Sequence, residues 1–399
     1  MYCVMLDATK AFDRVDYCKL FLQLKARNLP PIIIRFLMNL YTCQVARVAW
    51  NGAYSRDFHV DNGVKQGGVL SPVLFCIYMD SLLSKLKEAK HGCFIGDLYV
   101  GALAYADDLV LLAPSVCAMR HMLSVCDQYS VEFSVLFNAS KSKCLVCLPY
   151  GKSSLSGDIS KPSFFINGNL IEVVNQWPHL GHIITDKCDD DADIESRKLS
   201  TIGQINYVLC TFGKLDCIVK TKLLLSYCSS FYGSELWSLT NSRIDELGVV
   251  WRQAIRRVWN VPRDTRSALV TGLSASLPLF DIFCKRSMGF ADSCLRSKSS
   301  LVSFVVRHGV FYSRMFSGVG RNVQFCCERY GIPLSSFVDG YFSSKVIDKH
   351  YADSVSADVR ALNLLLYELL MARDNIFSIE CLDYDDIKSA IEYVCTFNC

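Results

Sequence analysis

The sequence lacks the features that mark membrane, secreted and disordered proteins. No uncharged apolar run reaches the roughly 18 to 20 residues that a membrane span needs. No basic segment with a small-residue cleavage site follows Met1, and no long tract of Pro, Ser or Gln occurs. We therefore expect a globular, intracellular protein, in the nucleus or the cytoplasm, that makes no use of a membrane.

Cysteine is plentiful, with 20 residues, but the spacing of a zinc site or a disulfide framework is missing. Cys144 and Cys147 have a metal-like separation, yet no second pair and no nearby His completes four ligands. Cys395 and Cys399 fail for the same reason. Without a signal peptide, scattered cysteines at apolar positions of a long chain are expected to be reduced core residues.

The net charge of +3 is small for 399 residues, but it is unevenly distributed. Residues 243–329 contain 14 Lys and Arg against 6 Asp and Glu, whereas residues 330–399 contain 5 against 11. Arg252, Arg256 and Arg257 lie among tryptophans in the basic part. This segregation predicts a surface that faces nucleic acid, and the alternative is a solvated helix face.

Two adjacent aspartates, Asp107 and Asp108, interrupt an apolar stretch. Residues 103–105 and 109–112 favour strands, so the carboxylates are predicted at the turn of a hairpin. Carboxylates side by side at the end of an apolar ribbon repel one another, and a divalent cation makes such a site tolerable. Mg²⁺, which prefers oxygen ligands, is the natural candidate. The alternative is a solvated turn, because Asp is a common turn residue.

A third aspartate follows the first predicted strand. Residues 2–6 are apolar, and Asp7 comes at the carboxyl end of this strand. Phe12 and Asp13 follow in the turn that leads into a helix. Asp7 or Asp13 could instead cap that helix, and Phe12 could be a core residue.

Residues 63–72 read as a glycine-containing loop that feeds a helix. Ser71 is predicted as the N-cap and Pro72 as the first helical residue, with the helix running to about residue 89. Glycines let the backbone approach a ligand, while Lys65 and Gln66 could donate hydrogen bonds to phosphate, ribose or base. The alternative is a plain loop, since no Walker A ending is present.

The remaining pattern is mixed up to about residue 190 and helical after it. Asn51-Gly52 and Asn167-Gly168 predict tight hairpins, and residues 116–133 an amphipathic helix. Residues 177–184 are predicted to return as one strand. Lys141 and Lys143 could be only solvated turn charges. The expected fold class is α+β: an antiparallel sheet backed by helices, then a mostly helical remainder.

The three aspartates are expected to meet at one edge of this sheet. Asp7, Asp107 and Asp108 each come at a strand end, and an arrangement of three carboxylates suits two-metal phosphoryl transfer. In that chemistry one ion lowers the pKa of an attacking hydroxyl and the other neutralises the leaving pyrophosphate.

The order of these motifs resembles the reverse transcriptases of non-LTR, LINE-type retrotransposons. The motifs that carry the resemblance are Leu6–Val15, Gly63–Pro72, Tyr105–Asp108, Asn138–Lys143 and Leu180-Gly181. It implies a polymerase palm over residues 1–190, a thumb over 191–260 and a C-terminal helical region over 261–399. It further implies an RNA template, a DNA primer, deoxynucleoside triphosphates and two Mg²⁺ or Mn²⁺ ions, and it leaves the oligomeric state open.

The resemblance also assigns roles to single residues. Asp7, Asp107 and Asp108 would bind the metal ions, and Phe12 would be the aromatic gate against a ribose 2′-hydroxyl. Lys141 would protonate the pyrophosphate. The site that the resemblance gives to nucleotide and template consists of Lys65, Gln66 and Gly67. Leu180 and Gly181 would form the primer grip.

The sequence departs from the family pattern in two respects. It begins at the first catalytic motif, so the fingers and the endonuclease are expected to be missing and the chain alone to polymerise poorly. Gly68 stands where the family often has Cys or Asp. Two functions follow: an RNA-directed DNA polymerase, or an inactive relic that keeps the fold and binds nucleic acid non-specifically.

Overall fold

The computed structural model describes residues 1–147, 162–274, 276–312 and 317–354. Cys395, Cys399 and most of the acidic tail lie outside the described residues. No described helix is long and apolar enough to cross a membrane. The described chain divides into two compact units, residues 1–177 with 184–188 and residues 178–183 with the remainder from 189.

The described strands are short and fall before residue 186. They are β1 (Tyr2–Leu6), β2 (Ala8–Thr9), β3 (Val45–Ala46), β4 (Ala49–Trp50), β5 (Ala53–Tyr54), β6 (Phe58–His59), β7 (Phe94–Ile95), β8 (Leu98–Tyr99), β9 (Ala102–Tyr105), β10 (Asp108–Ala113), β11 (Leu136–Phe137), β12 (Lys143–Val146), β13 (Phe164–Ile166), β14 (Asn169–Val174), β15 (Gln176–His179) and β16 (His182–Thr185).

The described helices occur in both units and dominate the second. They are α1 (Tyr17–Ala26), α2 (Pro31–Thr42), α3 (Ser71–Glu88), α4 (Val116–Phe133), α5 (Asp191–Thr211), α6 (Cys217–Leu223), α7 (Arg243–Trp259), α8 (Ser267–Leu273), α9 (Leu279–Leu295), α10 (Ser300–Phe311), α11 (Gly318–Tyr330), α12 (Leu334–Val338) and α13 (Lys345–Ser354). The predicted α+β fold class is confirmed.

The first unit is built on a six-stranded sheet with the order β13-β14-β12-β1-β10-β9. Strand β1 lies near the centre and pairs antiparallel with both β10 and β12. Four of its five residues are buried, because it is covered on both faces. Helices α3 and α4 pack on one face, where Leu6 and Leu109 join the main core. A smaller cluster that includes Met5 and Val110 covers the other face.

The local sequence explains how helix α4 is placed on this sheet. Ser115 caps its first turn by accepting a hydrogen bond from the Ala118 amide at 3.2 Å. Its apolar residues recur every three or four positions and form the buried face, namely Met119, Met122, Leu123, Cys126, Tyr129 and Phe133. Helix α4 therefore covers the face of the sheet that lies opposite to the smaller cluster.

The two hairpins predicted from asparagine-glycine pairs are present, whereas the strand predicted for residues 177–184 is not. Asn51 and Gly52 both have positive φ between β4 and β5, and Asn167 and Gly168 do the same between β13 and β14. The single strand predicted for residues 177–184 is wrong. Leu180 and Gly181 also take positive φ, at 47° and 78°, so the chain folds back and forms the hairpin of β15 and β16.

The second unit is helical and has one continuous core. That core extends in sequence from Ile194 to Ile347 and includes the fully buried Trp237 and Trp259. Helix α7 contributes one apolar face, with Trp251, Ile255 and Trp259 buried, while its arginines lie on the opposite side. The predicted boundaries at residues 190 and 260 stay predictions.

Candidate active site

Asp7 and Asp108 are the first residues beyond the last pair of the two central strands, β1 and β10. The ladder between β1 and β10 ends with Leu6 opposite Leu109, and Asp7 and Asp108 are the next residues of the two strands. Residues facing one another across an antiparallel pair have Cα atoms about 4.5 to 5.5 Å apart. Two half-buried carboxylates therefore start from neighbouring backbone positions.

Asp107 occupies the tight turn that joins β9 to β10. Tyr105 pairs with Asp108, so the turn contains only Ala106 and Asp107. Ala106 has φ of 53°, a left-handed conformation that costs a residue with a Cβ about 1 to 2 kcal/mol. The predicted hairpin with its aspartates at the tip is confirmed in backbone position, and the turn is strained as many functional loops are.

The alternation of side chains along β1 and β10 indicates that Asp7 and Asp108 lie on the same face of the sheet. Side chains alternate along a strand, and Leu6 and Leu109 point into the helix-covered core. Met5 and Val110 point to the opposite face. Alternation assigns Asp7 and Asp108 to that second face, so the two carboxylates lie away from α3 and α4.

The donor set suits a hard divalent cation in part. Mg²⁺ is commonly held by one or two carboxylates together with water and substrate phosphates. Asp7 and Asp108 supply two carboxylates from adjacent positions. In the described part of the chain, no group of three or more His, Cys, Asp or Glu side chains is arranged to hold a metal ion. Asp7 and Asp108 are the two carboxylates that the strand register brings together, and a role for Asp107 as a further ligand stays a prediction.

The loop after residue 62 is hydrogen-bonded to the turn that contains Phe12. The Val64 amide donates to the Phe12 carbonyl at 2.7 Å, and the Gly63 amide donates to the Val15 carbonyl at 2.8 Å. Gly63 has φ of 88°, and a Cβ there would lie 2.9 Å from Asp13 Cα. Glycine is thus required where the two loops cross.

Phe12 is held between this crossing and helix α3. Its ring stacks on Phe75, with centroids 4.8 Å apart and an interplanar angle of 18°. The Phe12 side chain is half-buried, so it contributes to the core while part of its surface remains accessible.

Ser71 is not the N-cap of helix α3. The helix begins at Ser71 itself. Leu70 occupies the N-cap position and makes no capping hydrogen bond through its side chain. The Ser71 hydroxyl instead donates to the Lys65 carbonyl, which closes the loop on itself. A Cβ at Gly68 would lie 2.8 Å from that hydroxyl oxygen. This loop conformation therefore favours glycine at position 68, because the Cβ of Cys or Asp would displace the Ser71 hydroxyl.

Lys65, Gln66 and Gly67 are exposed on the same loop. Beside them is a cavity of about 790 Å³. Its walls include Asp13 from the Phe12 turn and Tyr41 from α2. This volume lies in the range of small-molecule and cofactor sites.

A second loop is hydrogen-bonded directly to Asp7. The Asp7 amide donates to Ser142 Oγ at 3.1 Å, and the Asp7 carbonyl accepts from the Asn138 amide at 2.8 Å. Ser142 is fully buried and also donates to the Asn138 carbonyl at 2.7 Å. Lys141, between these residues, is exposed. Two loops distant in sequence thus fix the backbone around Asp7 and Phe12.

Lys143 differs from Lys141 and is not a solvated turn charge. Its ammonium donates to the Ser140 carbonyl and to Glu172, both at 2.8 Å, and lies 5.4 Å from the Trp177 ring centroid. This donation lowers the pKa of Glu172. Lys143 is therefore committed to the sheet, which leaves Lys141 as the available ammonium of this loop.

Leu180 and Gly181 belong to the second unit, where Asp193 anchors their turn. The buried Asp193 carboxylate accepts from the Ile183 amide at 2.9 Å and from Trp237 Nε1 at 2.8 Å, and His182 Nδ1 lies 3.1 Å away. Burial raises the pKa of Asp193, but these hydrogen bonds and His182 outweigh burial and lower it overall. Arg197 donates to the Gly181 carbonyl.

The three predicted arginines lie on α7 of the second unit with distinct partners. Arg256 donates to the Thr265 carbonyl at 2.6 Å, and Arg257 donates to Asn206 Oδ1 at 2.9 Å. Arg252 packs beside Gly248, where a Cβ would lie 3.2 Å from its guanidinium. All three line a cavity of about 620 Å³ together with Arg263, which the sequence did not single out.

Comparison with known proteins assigns the first unit. Residues 1–184 match the family model described as reverse transcriptase (RNA-dependent DNA polymerase). Residues 1–184 belong to the reverse transcriptase family. The predicted relationship to the reverse transcriptases of non-LTR retrotransposons is confirmed.

Two relatives illustrate the relationship of this reverse transcriptase domain. The Pol polyprotein from type-1 retrotransposable element R2 of Nasonia vitripennis is 31% identical over 184 residues, which is 45% of this chain and 18% of that protein. The RNA-directed DNA polymerase from mobile element jockey of Drosophila funebris is 24% identical over 269 residues, 64% of this chain and 28% of that protein. The chain thus spans less than a third of these relatives.

A likeness to solved structures is weaker. The apo telomerase of Candida tropicalis aligns with 85% of this chain and 53% of its own at 12% identity and a TM-score of 0.38. A likeness at this level carries no argument about function.

Proposed function

We propose that the reverse transcriptase domain catalyses RNA-directed DNA synthesis. Its substrates would be an RNA template, a DNA primer and deoxynucleoside triphosphates, with two Mg²⁺ or Mn²⁺ ions as cofactors. The observation that carries this proposal is the position of Asp7 and Asp108, next to one another beyond the last pair of the central strands. The family's dependence on divalent metal agrees with a paired carboxylate site.

Metal ions bound there would activate the primer hydroxyl and neutralise charge on the leaving pyrophosphate. Asp7 and Asp108 would hold them, with Asp107 joining from the adjacent turn. The backbone of Asp7 is fixed at both its amide and its carbonyl by the Asn138–Ser142 loop. Such fixation matters because a displacement of about 1 Å can cost roughly 100-fold in rate.

The neighbouring loops would bind the nucleotide. Phe12, restrained by its stacking on Phe75, would meet the sugar and disfavour a 2′-hydroxyl. Lys65, Gln66 and Gly67 would contact the nucleotide and the template from the rim of the 790 Å³ cavity. Lys141 is exposed and would donate a proton to pyrophosphate.

The second unit would hold the template and primer. Leu180 and Gly181 form a tight turn that would serve as a primer grip. Arg197 binds the Gly181 carbonyl, and Asp193 holds the next two residues, His182 and Ile183. Arg252, Arg256 and Arg257 would contact phosphates, and binding should therefore weaken with salt. Each phosphate contact removed should reduce the slope of log K against log salt by about 0.9. In this proposal residues 1–190 are the palm, 191–260 the thumb and 261–399 the C-terminal region.

The alternative, a relic that only binds nucleic acid, is not favoured. The chain retains the three aspartates, Lys141 and the glycine of the loop crossing, and its relatives include the RNA-directed DNA polymerase from mobile element jockey.

Primer extension tests the proposal. The full chain is incubated with an RNA template, a DNA primer, four deoxynucleotides and Mg²⁺. We expect weak templated extension that Asp108→Asn abolishes and that the control Asp97→Asn, an exposed aspartate in the turn between β7 and β8, leaves intact. Equal extension by the two variants would refute the assignment of Asp108, and nucleic-acid binding without extension would favour the relic.

A further inference from the structure

The cavity beside α7 concentrates positive charge without a matching acid. Of the residues that line its 620 Å³, four are arginines, Arg252, Arg256, Arg257 and Arg263, and none is Asp or Glu. Guanidinium groups that converge on a common space repel one another unless an anion lies between them. The carboxylate of Asp264 acts on Arg256, but Asp264 lies outside the lining.

Arg256 has one side-chain donor that is hidden from solvent. Its Nε is buried and has no hydrogen-bond acceptor within the described chain, although one Nη donates to the Thr265 carbonyl. Burial, followed by the neighbouring charge of Arg252, lowers the pKa of Arg256. A buried donor without an acceptor is costly, so Arg256 gains from an anion that contacts it from the cavity that it lines.

Arg252 and Arg263 have their charges available. Over the described residues, neither forms an ion pair or a hydrogen bond through its side chain, and Arg263 is exposed at the cavity rim. Arg252 has room because the adjacent helical position is Gly248. Two unpaired guanidinium groups beside the partly committed one of Arg256 are an arrangement that binds tetrahedral, multiply charged oxyanions.

We propose that this cavity is a discrete binding site for a phosphate group, with Arg256 and Arg263 as its principal ligands. It differs from a uniform basic surface, because four arginines and no acid line one cavity, while Arg257 is partly committed to Asn206. The phosphate can belong to a nucleic-acid strand or be free phosphate or pyrophosphate. The nucleic-acid case deepens the proposed function and rests on it, whereas binding of free pyrophosphate is measured without any polymerase activity.

Calorimetric titration of the full chain with inorganic pyrophosphate, at constant ionic strength and without divalent metal, tests the site. We expect one equivalent to bind. Arg263→Gln, at an exposed residue whose side chain forms no ion pair or hydrogen bond with the described chain, should weaken binding at least about ten-fold, and Arg256→Lys should do the same because lysine lacks the planar fork. Arg307→Lys, at an exposed position of α10, is the matched control and should bind as the unmodified chain does.

Competition with a short oligonucleotide distinguishes the two sources of the phosphate. Displacement of pyrophosphate by the oligonucleotide, weakened by Arg263→Gln, would assign the site to a nucleic-acid strand; a lack of displacement would assign it to a free phosphate. No saturable binding of pyrophosphate, or equal binding by Arg263→Gln and Arg307→Lys, would overturn the proposal. Primer extension is read separately, so a failure of polymerase activity leaves the result intact.

Discussion

Gly63 offers a direct test of the loop crossing next to the candidate active site. In Gly63→Ala the new Cβ would lie 2.9 Å from both Asp13 Cα and the Asp13 carbonyl oxygen, at φ of 88°. The left-handed backbone costs about 1 to 2 kcal/mol for a residue with a Cβ. Relieving the overlap with backbone atoms adds about 1 to 3 kcal/mol. We therefore expect the first unit to lose about 2 to 5 kcal/mol of stability.

Gly52→Ala separates the two contributions. Gly52 has a similar φ of 80°, but nothing lies within 4 Å of a Cβ placed there. Only the backbone cost of about 1 to 2 kcal/mol should apply. The difference between the variants, about 1 to 3 kcal/mol, corresponds to roughly 5- to 150-fold in an equilibrium constant.

Amide hydrogen exchange of the peptides that contain β1 and β10 measures the stability of the first unit alone. The slowest amides of the central sheet report its global opening. We expect them to exchange faster in Gly63→Ala than in Gly52→Ala by that factor. Equal exchange in the two variants would show that the 63–68 loop does not cross the Phe12 turn as described.

Three other predictions concern charge and thiol reactivity. Asp7→Asn should stabilise the first unit by about 0.2 to 1 kcal/mol in the presence of a chelator, because it removes repulsion by Asp108, and hydrogen exchange would detect a contrary destabilisation. Because the pKa of Asp193 is lowered in the folded state, its contribution to stability is present above about pH 3.9 and is lost as the pH falls through the folded-state pKa. Asp193→Asn should therefore reduce the loss of stability at acid pH, measured by urea unfolding followed by tryptophan fluorescence. An unchanged loss of stability at acid pH would contradict this. Burial raises the pKa of Cys3 and Cys144 to about 12, so mass spectrometry after native alkylation should find label on the exposed Cys76 and Cys117 and none on the buried pair.

Much of the candidate site is local enough to be predicted from the sequence. Asp7 after an apolar strand and Asp107-Asp108 between two apolar runs depend on patterns a few residues long, and the strands form where expected. Asparagine-glycine turns are similarly local. The confirmed family membership adds an order of motifs that no single pattern carries.

The contacts that fix the site depend on distant pairs and have no local signal. Ser142 reaches the Asp7 amide across 135 residues of sequence. Ser71 has the residue type and position of an N-cap, but its hydroxyl bonds the Lys65 carbonyl because the preceding loop folds back. Lys143 looked like a turn charge, yet the parallel pairing of β12 with β14 brings Glu172 alongside it.

The second unit shows the same limit. The sequence singled out three arginines by charge, whereas the cavity adds Arg263, which lies beyond the end of α7. Asp193 had no distinguishing pattern, because its role as acceptor for Ile183 and Trp237 arises only when the β15–β16 turn and the indole meet one carboxylate.

Manganese binding followed by electron paramagnetic resonance tests the central claim most directly. Mn²⁺ substitutes for Mg²⁺ at oxygen ligands and reports its own binding without any catalytic step. If Asp7 and Asp108 form the metal site, the chain should bind Mn²⁺ saturably, Asp7→Asn and Asp108→Asn should each weaken that binding strongly, and Asp97→Asn should leave it unchanged. Binding that survives both Asp7→Asn and Asp108→Asn, or that falls equally in Asp97→Asn, would contradict the account.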